Sequence, residues 1–318
     1  MILRRSRSIE ANFLLCKTFN YSKGTIYVGK EIKMGLKISD YKLLCNKGSG
    51  NFNEDIIGLS PYGAWVLDGA TGLNNKNLVS TESDAKWYVS WWNSYLHDNV
   101  GREDSLKVII KEGIEEIIKE YRKLIGDKEI EAIDIPSCSC SILKFYKDKI
   151  EYLLLGDCTL LVSYNESVKV LKDETLCRLD KKVFDFMQDG KDSLNLTLNE
   201  RKAKVMPIII DNRLKKNTVG GYWALEFSKD AIDNCVSGFI DIEYKMKIMI
   251  SSDGFSCGYD RYKIFDKDEM MKIAEVKDID YIYRKVRKLE KDDEMAIEFP
   301  RFKIYDDSSC VYLEIYKY

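Results

Sequence analysis

The sequence has one histidine, four prolines and no apolar run near the roughly 18 residues that a membrane-spanning helix needs. It has no P-loop, and the Gly48-x-Gly50 segment lacks the third glycine of a dinucleotide-binding loop. A Ser-His-Asp or Cys-His arrangement would have to use His97, which we interpret as a surface or capping residue at a helix end. These absences argue against a membrane-spanning protein, a nucleotide-binding loop and a histidine-activated nucleophile.

Nine cysteines are present, without a Cys-x-x-Cys pair or a regular spacing. The nearest two, Cys138 and Cys140, fall where a strand is predicted to begin, so both point to one face. Packing of small residues is favoured there over a metal site. This cysteine pattern predicts a reduced, cytoplasmic protein.

The net charge of −2 gives no indication of nucleic-acid binding, but the charge is unevenly distributed. Residues 1–33 hold seven basic and two acidic residues, whereas residues 34–318 hold 43 basic and 50 acidic ones. We interpret residues 1–33 as a basic extension, either non-native or loosely held, with Met1 and Met34 as alternative starts. Residues 34–318 are expected to form one domain, in a monomer with no nucleic-acid or membrane partner.

Hydrophobic periodicity predicts strands and helices in groups rather than in strict alternation. Helices are predicted at 80–96 (capped by Ser80 or Thr81), 104–125, 199–213 (kinked or ended by Pro207), 266–274 and 279–289. Strands are predicted at 141–145, 150–155 and 160–164, and the tight connections between these three predict that they are antiparallel neighbours. Further strands are predicted at 246–251 and 311–315, and also after the turn at Gly220. The grouping favours an α+β fold with largely antiparallel sheets.

Three apolar, strand-like runs end on an aspartate flanked by glycine, at Asp68, Asp157 and Asp253. Aspartate is depleted in strands and is rarely buried without a partner. Carboxylates brought together at the ends of buried strands repel one another unless a positive charge lies between them. A divalent metal ion, or a pair of them, supplies that charge.

Glu54 and Asp306 extend this group of acids, and no histidine or cysteine joins them. A set of oxygen ligands suits Mg²⁺ or Mn²⁺ rather than zinc. Gly69 could add its carbonyl oxygen. Two such ions held together can activate water and clamp a phosphoryl oxygen during in-line attack.

Five segments resemble, in order, the motifs of the metal-dependent protein phosphatases of the PPM type, also called protein phosphatase 2C-like. They are Asn53-Glu54-Asp55, Val66-Leu67-Asp68-Gly69-Ala70-Thr71-Gly72, Leu155-Gly156-Asp157-Cys158, Ile250-Ser251-Ser252-Asp253-Gly254-Phe255 and Asp306-Asp307-Ser308-Ser309-Cys310-Val311. The matching region runs from about Tyr41 to Tyr316. Residues 173–220 are its most divergent part, and we expect them to lie near the rim of the site.

This resemblance implies two packed, mainly antiparallel sheets flanked by helices, an α/β/β/α sandwich with two Mg²⁺ or Mn²⁺ ions at one end. It implies that Asp68 bridges both ions, that Asp253 and Asp306 hold one, and that Glu54 and the Gly69 carbonyl hold the other. Asp157 would serve a weaker third site. The implied reaction is hydrolysis of phosphoserine or phosphothreonine in a protein substrate by metal-activated water.

The sequence departs from the family pattern at three positions. Gly50 stands where many members have a phosphate-binding arginine, with Lys47 as a possible substitute. Ala70 replaces a histidine that some members carry, and Cys257 replaces a second acid, which weakens the case for a third ion. Two alternatives therefore stay open: a phosphatase-like module that binds metal or phosphoprotein without turnover, and an unrelated α+β protein with coincidental Asp-Gly turns.

Overall fold

The computed structural model describes residues 19–21, 24–26, 36–74, 76–164, 167–189, 195–242 and 244–317. Both candidate starts, Met1 and Met34, and most of the 1–33 extension lie outside these residues. Within the described ranges, no helix has the length and apolar character required to cross a bilayer.

The described strands form one sheet of seven strands and one of five. The first has the order β1 (Phe19–Tyr21), β2 (Gly24–Ile26), β4 (Asp55–Ser60), β5 (Gly63–Ala70), β6 (Ser137–Phe145), β7 (Lys149–Leu155) and β10 (Val236–Asp241). The second has the order β3 (Leu36–Asn46), β12 (Ser308–Lys317), β11 (Lys245–Ser251), β8 (Thr159–Tyr164) and β9 (Ser167–Leu171). All neighbouring strands are antiparallel except β2 and β4.

The described residues form eight α-helices. They are α1 (Asp84–Asn99), α2 (Leu106–Ile125), α3 (Thr175–Gln188), α4 (Leu198–Leu214), α5 (Asp230–Asp233), α6 (Asp253–Asp260), α7 (Lys267–Val276) and α8 (Ile279–Asp292). Helices α1, α2 and α5 pack on the first sheet, and α6, α7 and α8 pack on the second. The expected α/β/β/α sandwich is therefore confirmed.

The alternation of side chains along each strand explains the layers. In β5, Trp65 and Leu67 face the helices, whereas Val66 packs between the sheets with Ile248 and Val311 of the second sheet. Asp68 follows two residues after Val66 and therefore belongs to the face between the sheets, at the strand's end.

Several sequence-based boundaries differ from the structure. The cap of α1 is Ser83, not Ser80 or Thr81, because the Asp84 carboxylate accepts backbone N–H groups of the preceding loop. Helix α4 continues through Pro207, so the predicted end there is wrong. The segment after Gly220 forms only isolated bridges, Lys216 with Tyr222 and Cys138 with Leu225.

One topological expectation is also corrected. The strands β6 and β7 are antiparallel neighbours, as predicted, but β8 leaves their sheet and pairs with β9 and β11. The turn between β7 and β8, which carries Asp157, therefore bridges the two sheets at the same end as the site described next.

Candidate active site

The predicted acidic residues lie at the ends of strands from both sheets. Asp68 lies near the end of β5, and Glu54 directly precedes β4. Asp253 is the first residue of α6, immediately beyond β11. Asp306 lies in the loop before β12, and Asp157 lies in the turn between β7 and β8.

Asp68 lies in the negative field of the surrounding acids. Burial raises its pKa well above its usual value, and the charges of Asp55, Asp253, Asp157 and Asp306 raise it further. The fold thus brings acids from five separate chain segments into mutual electrostatic contact. Such an arrangement favours bound cations or protons.

Glu54 is held by hydroxyl groups from the loop after β5 and from the start of α1. The Thr71 hydroxyl donates a 2.5 Å hydrogen bond to its carboxylate, and the Ser83 hydroxyl donates another. The Glu54 carbonyl accepts the backbone N–H of Gly69 at 3.0 Å. A Cβ at position 69 would lie 2.7 Å from that carbonyl oxygen, so the close approach of these two predicted ligands requires glycine.

Two further acids, Asp55 and Asp307, connect the parts of the site, and neither is among the predicted ligands. Asp55 is 5% exposed and lies opposite Asp68 in the β4–β5 register. The Ser252 hydroxyl donates a 2.8 Å hydrogen bond to it across the two sheets. Its alternation with Ile57 and Leu59, which face between the sheets, was the available signal.

Asp307 ties two loops together. Its carboxylate accepts the backbone N–H of Gly48 at 2.6 Å and that of Glu54 at 2.8 Å. The neighbouring Asp306 remains half-buried and available to a ligand. In the sequence, the adjacent Asp306 and Asp307 look alike. Which one binds the neighbouring loop and which one is a candidate ligand depends on how the loops pack.

Helix α3 contributes a third unselected acid, Asp180. Its pKa is raised to about 7, mainly by burial and then by the charge of Asp157, while Arg261 acts in the opposite direction. Asp180 lines a narrow cavity together with Asp253 and Asp306. The divergent segment does lie beside the acids, as its position in the sequence led us to expect.

Two basic side chains compensate part of the negative charge. Arg261 forms a 2.9 Å ion pair with Asp253, and Lys303 forms a 2.7 Å ion pair with Asp306. The pKa of Asp253 is nevertheless raised to about 7, mainly by burial and then by the charges of Asp306 and Asp157. Although burial opposes it, Lys303 lowers the pKa of Asp306.

The positions that depart from the motif pattern have distinct surroundings. Gly50 is exposed, and the exposed Lys47 donates to the Asn51 carbonyl within its own loop. Cys257 is buried, with its thiol donating to the Gly254 carbonyl at 3.5 Å. His97 packs edge-on against Trp65, with ring centroids 4.7 Å apart.

The donor chemistry of the site fits hard divalent cations. Its candidate ligands are carboxylates and a carbonyl, which suit Mg²⁺ or Mn²⁺, and Asp68 is surrounded by acids that an added cation would stabilise. As placed here, no three acidic, histidine or cysteine side chains of the described residues already converge on one ion position. In this structure two of the acids, Asp253 and Asp306, are instead paired with Arg261 and Lys303.

Comparison with known proteins identifies the fold. No family model matches the sequence, and no curated protein matches it. The structure is similar to the serine/threonine phosphatase PstP/Ppp of Mycobacterium tuberculosis, with a TM-score of 0.51 and 11% identity over 89% of this chain and 99% of that one. A bacterial serine phosphatase variant gives a TM-score of 0.51 and 10% identity over 86% of this chain and 97% of that one.

A catalytic domain of PstP in complex with two manganese ions also matches, with a TM-score of 0.48 and 10% identity over 88% of this chain and 98% of that one. At these identities the likeness concerns the fold. The chain has the fold of the PPM-type serine/threonine phosphatases, which confirms the sequence resemblance at that level.

Proposed function

We propose that this chain, with its PPM-type phosphatase fold, is a Mg²⁺- or Mn²⁺-dependent phosphatase that hydrolyses phosphoserine and phosphothreonine in proteins. The observation that carries the proposal is the position of Asp68. It faces four other carboxylates where the ends of two sheets meet. Charge repulsion at such a point costs stability, and a bound cation would remove that cost.

The ligand roles follow the motif order. Asp68 would bridge two ions, Asp253 and Asp306 would hold one, and Glu54 with the Gly69 carbonyl would hold the other. Asp157 would serve a weaker third ion. When bound, two such ions supply Lewis acidity, which activates water and neutralises charge on phosphoryl oxygens.

The chain's own residues position these ligands. Thr71 and Ser83 fix the Glu54 carboxylate by hydrogen bonds. Asp307 holds the Gly48–Glu54 loop against the loop that carries Asp306. Asp55 and Ser252 lock the two sheets together beneath Asp68. These contacts hold the Glu54 carboxylate, the loop of Asp306 and the ends of the two sheets in place around Asp68.

The direct test is Mn²⁺-dependent hydrolysis of p-nitrophenyl phosphate and of a phosphothreonine peptide, comparing wild type with Asp68→Asn. We expect kcat to fall roughly a hundredfold or more in the variant, because the bridging charge is lost. Asp98→Asn, which changes an exposed acid of α1, is the matched control and should retain activity.

Calorimetric melting with and without Mn²⁺ separates the competing interpretations. A bound ion at about 100 times its Kd stabilises the fold by about 2.7 kcal/mol. Stabilisation without turnover would favour the metal- or phosphoprotein-binding module, which the departures at Gly50, Ala70 and Cys257 support. If Mn²⁺ neither stabilises the protein nor supports turnover, both metal-site interpretations are rejected and only the shared fold remains.

Two finer points belong to the same proposal. The eight cysteines at described positions are free thiols, which suits a reducing compartment, and we place the enzyme in the cytoplasm. Its partner would be a phosphorylated protein, and the enzyme itself would act as a monomer.

A further inference from the structure

A narrow cavity borders the acids on the side of α3. It is formed by residues of α3, α6, α8 and the loop before β12. Its lining comprises Asp180, Phe184, Asp253, Gly254, Cys257, Arg261, Tyr262, Glu290, Arg301, Phe302, Lys303 and Asp306. Its volume is about 20 Å³, room for about one water molecule.

Arg261 and Lys303 are the basic groups of this cavity that contact the predicted metal ligands. Their side chains are 28% and 39% exposed, so both can change partner without crossing the core. The Arg261 guanidinium also lies 5.5 Å from the Phe184 ring of α3, and Phe184 packs on Phe302. These aromatic faces support the guanidinium when it leaves Asp253.

A third basic residue, Lys202 of α4, is half-buried. Lys202 interacts electrostatically with Lys303 and Asp306, and burial, followed by the charge of Lys303, lowers its pKa. Within the described part of the chain, it forms no ion pair or hydrogen bond. A half-buried lysine beside a second lysine is stabilised by an anion that contacts both.

Binding of divalent ions would change the balance of charge here. Once Asp253 and Asp306 hold an ion, Arg261 and Lys303 lose their anionic partners and face a like charge. An anion lying between the ions and these side chains removes that repulsion. A phosphoryl group carries the required charge, and guanidinium binds it with two parallel hydrogen bonds.

We propose that Arg261 and Lys303 bind the substrate's phosphoryl group, with Lys202 nearby, and so replace the arginine that is absent at position 50. The inference rests on the proposed function, since it assigns the phosphate-binding groups of that same site. The two side chains turn from the acids to the phosphoryl oxygens, and this movement opens the cavity.

The first test measures binding of inorganic phosphate to the Mn²⁺-loaded protein by isothermal titration calorimetry. We compare wild type with Lys303→Gln, Arg261→Gln and the double variant. Each single change should weaken phosphate binding about tenfold, because one charge-assisted contact is lost. Lys204→Gln, an exposed position on α4, is the control and should bind like wild type.

Titration of Mn²⁺ itself supplies the second measurement. If the proposal holds, Mn²⁺ affinity is unchanged or higher in Lys303→Gln, because a competing cation leaves Asp306. Lower Mn²⁺ affinity with unchanged phosphate affinity would overturn the proposal and make both residues positioning groups for the acids. Arg261→Lys should keep the charge but lose the two-pronged contact, raising KM more than it lowers kcat.

The outcomes also separate this proposal from the proposed function. Phosphate binding that is lost in the variants, without turnover by wild type, would support the phosphate site and reject the enzyme. Turnover with unaltered KM and phosphate affinity in the variants would keep the enzyme and reject the phosphate site.

Discussion

Single positions decide what this site can bind. At Gly50, an added Cβ would meet only the Phe52 carbonyl oxygen, at 3.5 Å, so a larger side chain fits. At Gly48, an added Cβ would lie 2.4 Å from the backbone of Asp306. Gly50 is therefore replaceable, whereas Gly48 must remain glycine for its loop to contact the loop that carries Asp306.

The substitution Gly50→Arg should therefore improve substrate binding. A guanidinium at this rim would add a charge-assisted contact to phosphate, and we expect KM for a phosphothreonine peptide to fall several-fold with little loss of stability. Steady-state kinetics and a melting curve check this. Gly48→Ala is the control, and we expect it to lower the melting temperature and the activity together. A KM unchanged in Gly50→Arg would show that this loop does not reach the substrate.

At the scale of elements, α3 and α4 form a separate layer over the acids. They share a small core of their own, which includes Val183, Met187 and Val205. Arg213 joins α4 to the loop after β5 through a 3.2 Å hydrogen bond to the Thr71 carbonyl. We predict that replacing residues 194–216 changes substrate preference, and an unchanged preference would contradict this.

Asp180 makes the metal-free protein sensitive to pH through α3. Because its folded-state pKa is raised to about 7, its ionisation costs stability as the pH rises from about 4 to 7. Asp68 and Asp253 act in the same direction, whereas Asp306, with its lowered pKa, acts in the opposite one.

We therefore expect the melting temperature, measured in EDTA, to fall over this pH range less steeply in Asp180→Asn than in wild type. The exposed Asp185 on the same helix provides the control, since Asp185→Asn should follow the wild-type curve. Parallel curves for Asp180→Asn and wild type would mean that Asp180 does not face the acids.

At the scale of the whole molecule, one buried arginine anchors the loop that carries Lys303 and Asp306. Arg301 is 3% exposed and pairs with the Asp293 carboxylate at 3.0 Å. It also donates to the carbonyl groups of Glu290, Asp293, Phe299 and Ile304. This network connects the end of α8 to the site.

Arg301→Ala should lower the free energy of unfolding by about 3 kcal/mol, because it leaves Asp293 and several carbonyl groups buried without their partner. Denaturant unfolding measures this. Arg284→Ala removes an ion pair whose arginine side chain is 71% exposed, and its effect should stay within about 1 kcal/mol. Equal effects of the two substitutions would contradict the anchoring role.

The sequence by itself predicted the group of acids at the ends of strands, the main helices and the layered class of the fold. Local periodicity and strand-ending Asp-Gly pairs are short-range features of the sequence, and they do not depend on how distant segments pack together. Only the tertiary structure decided that β8 leaves the sheet of β7, and that Asp180, Arg261 and Lys303 meet the acids. These are pairings between distant segments, which depend on how the sheets pack, and no local pattern encodes them.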